Sequence, residues 1–464
     1  MQRLQEEFSA ELATLRGRVD AVEARTAELE ANQFSTTTKL VGEAIFSLSD
    51  VFSNERAFPL GIDEDDLAGV DISGDTLSAA AANTLIARGV EVQGDNATER
   101  QQRLQALVNA YGLGNVRNSR DREIDGNTVF ADRVRLNFNS RFVGSDLLQV
   151  RLQARNITPF GTSVTGTNMT RLGFDGNEGN DVQFDNLYYQ FTLGDALSVN
   201  IGATATEFDD TVFVFNPAFD SSGGGAISRY GRFSPIYRTV DNAAGITLTF
   251  GPNSPISATV SYLAPQANNP GLGRGIFNGS YAVMGQIGFR PSQAFNLGLT
   301  YVRSYQNSEA EINLFTSTGS FLANRPFGNT ATTANHYGVQ AFVRPSSKFI
   351  ISGWAGYSQA ESEADDGPFE NVDADIFYWA AGLALQDFGR EGNTLGLIFG
   401  QPPKVTDSDV LEDKDTSYHL EALYKFRLTD NIAITPGLLV IFNPENNNNN
   451  DNIFVGTLRT TFTF

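Results

Sequence analysis

Cysteine is absent from these 464 residues, and histidine, methionine and tryptophan number only two, three and two. Without a thiol the chain can form neither a disulfide nor a thiolate metal site. The histidines, His336 and His419, fall in separate segments, so a histidine-based catalytic or metal centre is not expected. Nor is there any run near the about 18 apolar residues that a membrane-crossing helix needs; "FYWAAGLAL" (377–385) is among the longest. That excludes a helical span but not a membrane β-barrel, whose strands need only about 9–11 alternating residues. Positive charge is also scarce. Against 54 acidic residues stand 33 Lys and Arg, a formal charge of −21, which argues against a nucleic-acid partner. No secretory signal opens the chain: Met1 runs directly into "QRLQEEFSAEL", so an exported protein would be seen here with its signal removed.

What is abundant is Phe, Tyr and Gly, at 35, 14 and 44 residues, a composition suited to an antiparallel β-protein with an aromatic outer surface. Residues 4–33 are the exception. Phe8, Leu12, Leu15, Val19, Val22, Thr26 and Leu29 alternate in spacings of four and three, the seam of a self-associating coiled coil. The coiled coil is taken as residues 1–34 and the barrel as 35–464. From "KLVGEAIFSLSDVF" (39–52) onward the period is two, with Leu40, Ala44, Phe46 and Leu48 on one face. Residues 53–126 interrupt it with the acidic run Asp63-Glu64-Asp65-Asp66 and two short helices, expected at 77–89 and 98–112.

Paired alternating segments come next, at 132–142 with 146–157, 182–193 with 196–206, and 242–250 with 256–264. The remaining pairs are 280–290 with 294–305, 334–344 with 349–358, 374–386 with 393–400, and 415–427 with 431–443; 453–464 stands alone. Links inside pairs are tight and rich in Gly, Pro, Asn, Asp and Ser, whose backbone preferences suit turns. Links between pairs are long. Sixteen strands with short turns at one end and long loops at the other describe an all-β, antiparallel outer-membrane barrel with both termini at the short-turn end. An even count also lets the last strand pair with the first, leaving no edge unpaired in lipid. About 16–18 strands enclose an aqueous channel rather than a packed core.

The inward parity carries Arg133, Arg135, Arg141, Arg151 and Arg155, a basic patch expected on the channel wall. The long link at 207–241 carries Glu207, Asp209, Asp210 and Asp220, together with Arg229 and Arg232, and its "SSGGG" run would let it fold inward as a constriction. An acidic loop opposite a basic wall would select permeants by charge and size. Acidic clusters at Glu361/Glu363/Asp365/Asp366 and Asp407/Asp409/Glu412/Asp413/Asp415 read as solvated external loops, and "NPENNNNNDN" (443–452) as a flexible polar loop. No motif calls for a cofactor, and no nucleophile is paired with a base.

Several stretches, "NMTRLGFDG" (168–176), "GWAGY" (353–357), "IFGQPPKV" (398–405), "DTSYHLEALYKF" (415–426), "ITPGLLVIFNPE" (434–445) and the final "RTTFTF", resemble the cyanobacterial outer-membrane porins related to the carbohydrate-selective porin family, often labelled iron uptake porins. The resemblance implies passive passage of inorganic ions, including iron species, and small solutes. It also implies a surface-layer-homology domain, absent from this sequence, through which such proteins hold the cell wall. Its terminal aromatic resembles the signal read by barrel-assembly machinery. Outer-membrane lipid is the expected surroundings, a homotrimer the expected assembly by analogy of fold, and the periplasm the expected side for coil and termini.

Overall fold

The computed structural model describes residues 15–20, 23, 37–62, 66, 70, 77–111, 123, 124, 126–307 and 312–464. Sixteen long antiparallel strands form its frame: β1 (Thr38–Phe52), β2 (Val129–Ser140), β3 (Leu147–Ile157), β4 (Gln183–Leu193), β5 (Leu197–Thr206), β6 (Ala243–Phe250), β7 (Ile256–Ala264) and β8 (Tyr281–Phe289). They continue as β9 (Phe295–Gln306), β10 (Thr332–Ser346), β11 (Phe349–Ser362), β12 (Asp373–Gln386), β13 (Thr394–Ser408), β14 (Tyr418–Arg427), β15 (Ile432–Phe442) and β16 (Ile453–Thr463). Each pairs with its sequence neighbour, and a two-residue ladder, Gly176–Asn177, extends β3 at its end. β1 pairs on one side with β2 and on the other with β16, from Glu43 opposite Thr463 to Phe52 opposite Phe454, so the sheet closes on itself.

Alternation explains the two faces. On β1, Phe46, Leu48 and Phe52 point outward and are exposed, while Ile45, Ser47 and Ser49 are buried inside. On β16, Phe454 and Leu458 face out, and Arg459 lies fully buried within. The seam is completed by Phe464, whose N–H and carbonyl exchange hydrogen bonds with Gly42. Gly42 is glycine for a reason of space: a Cβ there would overlap the Phe464 ring.

Helices α1 (Ala79–Ala87) and α2 (Ala97–Tyr111) match the two expected in the first long loop, and α1 starts with Ser78 capping the Ala81 N–H. They are not an appendage. Leu85, Leu104 and Leu107 join Phe315, Phe321, Trp354 and Tyr378 in one apolar cluster, so the insertion packs on the loops and strand ends of the long-loop side. Arg103, almost fully buried, fixes α2 there by donating to the carbonyls of Pro368, Gln93 and Asp409.

The asparagine run is partly packed: Asn446, Asn447 and Asn450 are buried, while Asn448 and Asn449 are exposed. Asn447 donates to Ile62 O, and Asn450 donates to Phe58 O and accepts from Phe58 N, tying the start of the insertion to the last long loop. Each amide offers donors and an acceptor at once, and so can satisfy a buried backbone on both sides. Asp413 is also no solvated loop residue. It is buried and accepts from Ser320 Oγ and Val405 N.

Of the expected coil, residues 15–20 are helical with Leu15 and Val19 exposed. The seam positions Phe8, Leu12, Val22, Thr26 and Leu29, and Asp63, Glu64 and Asp65 of the acidic run, lie outside the described residues.

Candidate functional site

The chain leaves β5 through a bulge. The register between β5 and β6 shifts between Gly202 and Thr206, and Ala205 adopts a positive φ of 48°. Such bulges bend a strand and re-aim the chain beyond it. Here the redirected segment is the long link 207–242, which turns into the barrel. Its first turn, Phe208–Thr211, carries a capping box between Glu207 and Asp210.

The loop has an apolar and a polar side. Phe208, Phe233 and Ile236 pack with Leu263, Met284 and Val302 of β7–β9, and Phe219 and Ile227 pack with Ile350, Ile398, Leu423 and Leu439 of β11 and β13–β15. Inward-facing glycines make the room. A Cβ at Gly298 would overlap Phe215, one at Gly396 would overlap Phe219, and one at Gly437 would overlap Ile227. Two buried ionisable groups of the wall then fasten the backbone. Arg459 donates to the carbonyls of Ser222, Gly225 and Ala226. Glu421 accepts from the Ile227 and Ser228 amides and from the Ser228 hydroxyl. His419 lies 3.3 Å from Ser228 Oγ, but that hydroxyl is committed to Glu421, and all three side chains are fully buried. The cluster is an anchor for the loop.

With its apolar side packed on β7–β15, the loop leaves a polar passage beside β1–β4. Three cavities run along it. One of about 190 Å³, near Tyr281 and Tyr305, opens from the long-loop end and shares Asp241, Asn313 and Thr316 with the next. The middle one, about 260 Å³, is lined by eight arginines and six carboxylates. It shares Arg135, Arg151, Asp209, Asp210, Ser222 and Arg232 with a third of about 380 Å³, which reaches Glu43 and Asn137 towards the short-turn end.

Most expected residues meet here. Arg133 is fully buried, 2.7 Å from Glu43 and 3.0 Å from Ser222 Oγ. Arg135 also donates to Ser222 Oγ and pairs with Asp185 at 3.3 Å. Arg151 pairs with Asp185 and, at 3.6 Å, with Asp210. Arg155 is bound to Glu178 at 2.8 Å. From the loop, Arg232 meets Asp209 at 3.3 Å and donates to the Asp220 carbonyl, with the Asp220 side chain on the lower cavity. Burial, reinforced by the Asp209 charge, pushes Asp210 up to about 6. Glu207 rises well above the carboxylate range because it is buried and faces Asp241 and Asp209.

Two placements differ from expectation. Arg141 is not on the passage: it sits exposed in the turn after β2 and donates to the Asp146 carbonyl. The charges are interleaved rather than opposed, because the loop contributes Arg229, Arg232 and Arg238 while the wall contributes Glu43 and Asp185. Asp185 eluded the alternation because a bulge makes it the extra residue between the pairs Arg151–Asn186 and Leu152–Phe184. Arg171, Asp175, Arg238 and Asp241 lie in loops, where no periodicity points inward.

Among known proteins, the model of the carbohydrate-selective porin, OprB family, matches residues 1–464. An uncharacterized protein of Nostoc sp. is 38% identical over 489 residues, spanning 100% of this chain and 72% of its own. One of Synechocystis sp. is 34% identical over 483 residues, spanning 100% of this chain and 76% of its own. Among solved structures, the OprB of Pseudomonas putida superposes with a TM-score of 0.52 at 10% identity, over 94% of this chain and 96% of that one. This last likeness is one of fold alone.

Proposed function

Because the chain belongs to the carbohydrate-selective porin, OprB family, we propose that this outer-membrane channel lets inorganic ions, iron species among them, and small hydrophilic solutes diffuse passively, and that the 207–241 loop with Arg133, Arg135, Arg151 and Arg155 is its selective constriction. The observation that carries this reading is the row of three cavities, neighbours sharing lining residues and the lower two polar, inside a closed sixteen-stranded wall. Guanidinium and carboxylate groups line it, so charged and dipolar solutes gain contacts that a neutral solute does not. Ion pairs so close together would be costly in a dry interior but are tolerated beside water.

Planar-bilayer recordings test it. The wild-type protein should give discrete unitary steps in KCl, and Arg135→Ala and Arg151→Ala should shift the reversal potential in asymmetric salt towards cations. Unchanged conductance and selectivity in both variants would refute the constriction. Uptake of small ferric chelates into porin-loaded vesicles, compared with empty ones, tests the iron reading.

A second role fits the N-terminal segment. Leu15 and Val19, two seam positions on a helical stretch, are exposed, which supports self-association of residues 1–34 as a periplasmic coil on a homotrimer, the segment through which a wall-binding domain of the family would join as a tether to the cell wall. Deleting residues 1–33 should weaken envelope attachment and leave conductance intact; loss of conductance would merge the two roles.

A further inference from the structure

We propose that the middle cavity is a binding station for a tetrahedral oxyanion of the phosphate class, held between the guanidinium groups of Arg229 and Arg238. This rests on the channel reading above and names a ligand for its narrowest part.

Most of the positive charge around this cavity is already paired. Arg133, Arg135, Arg151, Arg155, Arg171 and Arg232 each have a carboxylate oxygen within 4 Å. Among the described residues, Arg229 and Arg238 are the two arginines of this cavity that have none. Arg238 is 1% exposed, and its Nε and Nη1 have no hydrogen-bond partner. Its Nη2 donates to the Arg229 carbonyl, which brings the two cationic residues together. A buried guanidinium with idle donors, beside a second one, is destabilised by desolvation and by like charge. An anion with several acceptor oxygens removes both penalties, and the planar fork of arginine suits a phosphate oxygen pair.

The surroundings hold these two side chains rather than neutralise them. Thr316 holds the Arg229 side chain, its carbonyl accepting from Arg229 Nε, and holds the Arg238 backbone, its hydroxyl donating to the Arg238 carbonyl. Thr316 and Ser317 both sit at positive φ, 49° and 56°, a conformation that costs a β-branched residue energy and persists only where its surroundings impose it. The Arg238 guanidinium lies 4.2 Å from the centre of the Phe233 ring, which fixes its plane without supplying a counter-charge. Asp175 and Asp209 are committed to Arg171 and Arg232. Asp241 and Glu207 also face the cavity; burial and the neighbouring Asp241 charge raise the Glu207 carboxyl, which lessens its repulsion of an oxyanion.

The test is the chloride current of single channels titrated with inorganic phosphate at fixed ionic strength, each protein normalised to its own phosphate-free current. Glycerol phosphate and acetate are run in parallel. Wild-type current should fall saturably with phosphate, and acetate at equal ionic strength should do far less. The half-blocking concentration should rise about tenfold or more in Arg238→Gln and in Arg229→Gln, the loss of one well-placed charge-assisted contact, and stay the same in Arg141→Gln. Should Arg238→Gln not assemble, Arg229→Gln, at a half-buried position, carries the comparison. Block by inorganic phosphate alone identifies the free ion; block by glycerol phosphate as well identifies the phosphate group of a larger solute. A current insensitive to phosphate, block equalled by acetate, or block unchanged in both arginine variants overturns the proposal while leaving the channel standing. No chloride current at all would instead overturn the channel.

Discussion

Arg459→Met should loosen the inserted loop without dismantling the barrel. In the wild type the Arg459 guanidinium donates at 3.0, 2.7 and 3.1 Å to the carbonyls of Ser222, Gly225 and Ala226. Charge-assisted bonds of this kind contribute about 1.5–3 kcal/mol each. Their sum overstates the loss, because the bonds share one donor group and removing a buried cation also relieves its desolvation. Methionine keeps part of the aliphatic stem, and the Glu421 and Thr461 anchors remain. A loss of about 3 kcal/mol in docking is therefore the working figure, equivalent to a factor of roughly 10² in the docked-to-undocked ratio. Two assays read it. Cleavage by a low-specificity protease at Ser221–Gly225 should accelerate in folded, detergent-solubilised protein, and single-channel current should become noisier. Equal protection and equal noise in wild type and variant would refute the claim that Arg459 holds the loop.

Acidification should alter selectivity through Asp210, whose carboxyl titrates at about 6. Between pH 7 and 5 it gains a proton, the passage loses a negative charge, and the reversal potential should move towards anions; Asp210→Asn should lack that component. The same raised value has a stability consequence. The protonated form is favoured in the folded protein, so its contribution is fully present below about pH 4, the unfolded carboxyl's range, and is lost as pH rises through about 6. Gly396→Val should expel Phe219 from its seat and raise conductance through a displaced loop, read in bilayers. Arg103→Ala, which removes three bonds from α2 to backbone carbonyls, should weaken the docking of α1 and α2 by about 3–5 kcal/mol, seen as faster proteolysis there with the barrel intact. Deleting Phe464 should reduce the folded, heat-resistant fraction on assembly more than it changes the conductance of channels that form.

The barrel was legible because its forces repeat. A lipid-facing parity, turn residues at one end and an even strand number recur along the chain, and β2 to β16 fall close to the expected segments except at the long-loop ends of β11 and β13, which run on to Ser362 and Ser408 and take Glu361 and Asp407, expected in loops, into strands. The arginine wall was legible for the same reason, since Arg133, Arg135, Arg151 and Arg155 obey the inward parity. Arg141 shared that parity too, but the strand ends at Ser140 and its side chain turns to Asp146 instead. Bulges are invisible to alternation, and one of them brings in Asp185. The loop charges Arg171, Arg238 and Asp241 gather through tertiary packing, which no local pattern records. The asparagine run misleads by composition: polarity suggests solvent, whereas Asn447 and Asn450 direct their amides to the buried backbone of Phe58 and Ile62.

That an inserted loop narrows a water-filled passage is tested most directly by unitary conductance after replacing residues 212–237 with a short Gly-Ser linker. The loop fills the interior against β7–β15 with Phe215, Phe219, Phe233 and Ile236, so the variant should conduct several-fold more than the wild type and lose its charge selectivity. A variant that assembles as a barrel yet keeps the wild-type conductance and reversal potential would contradict the account.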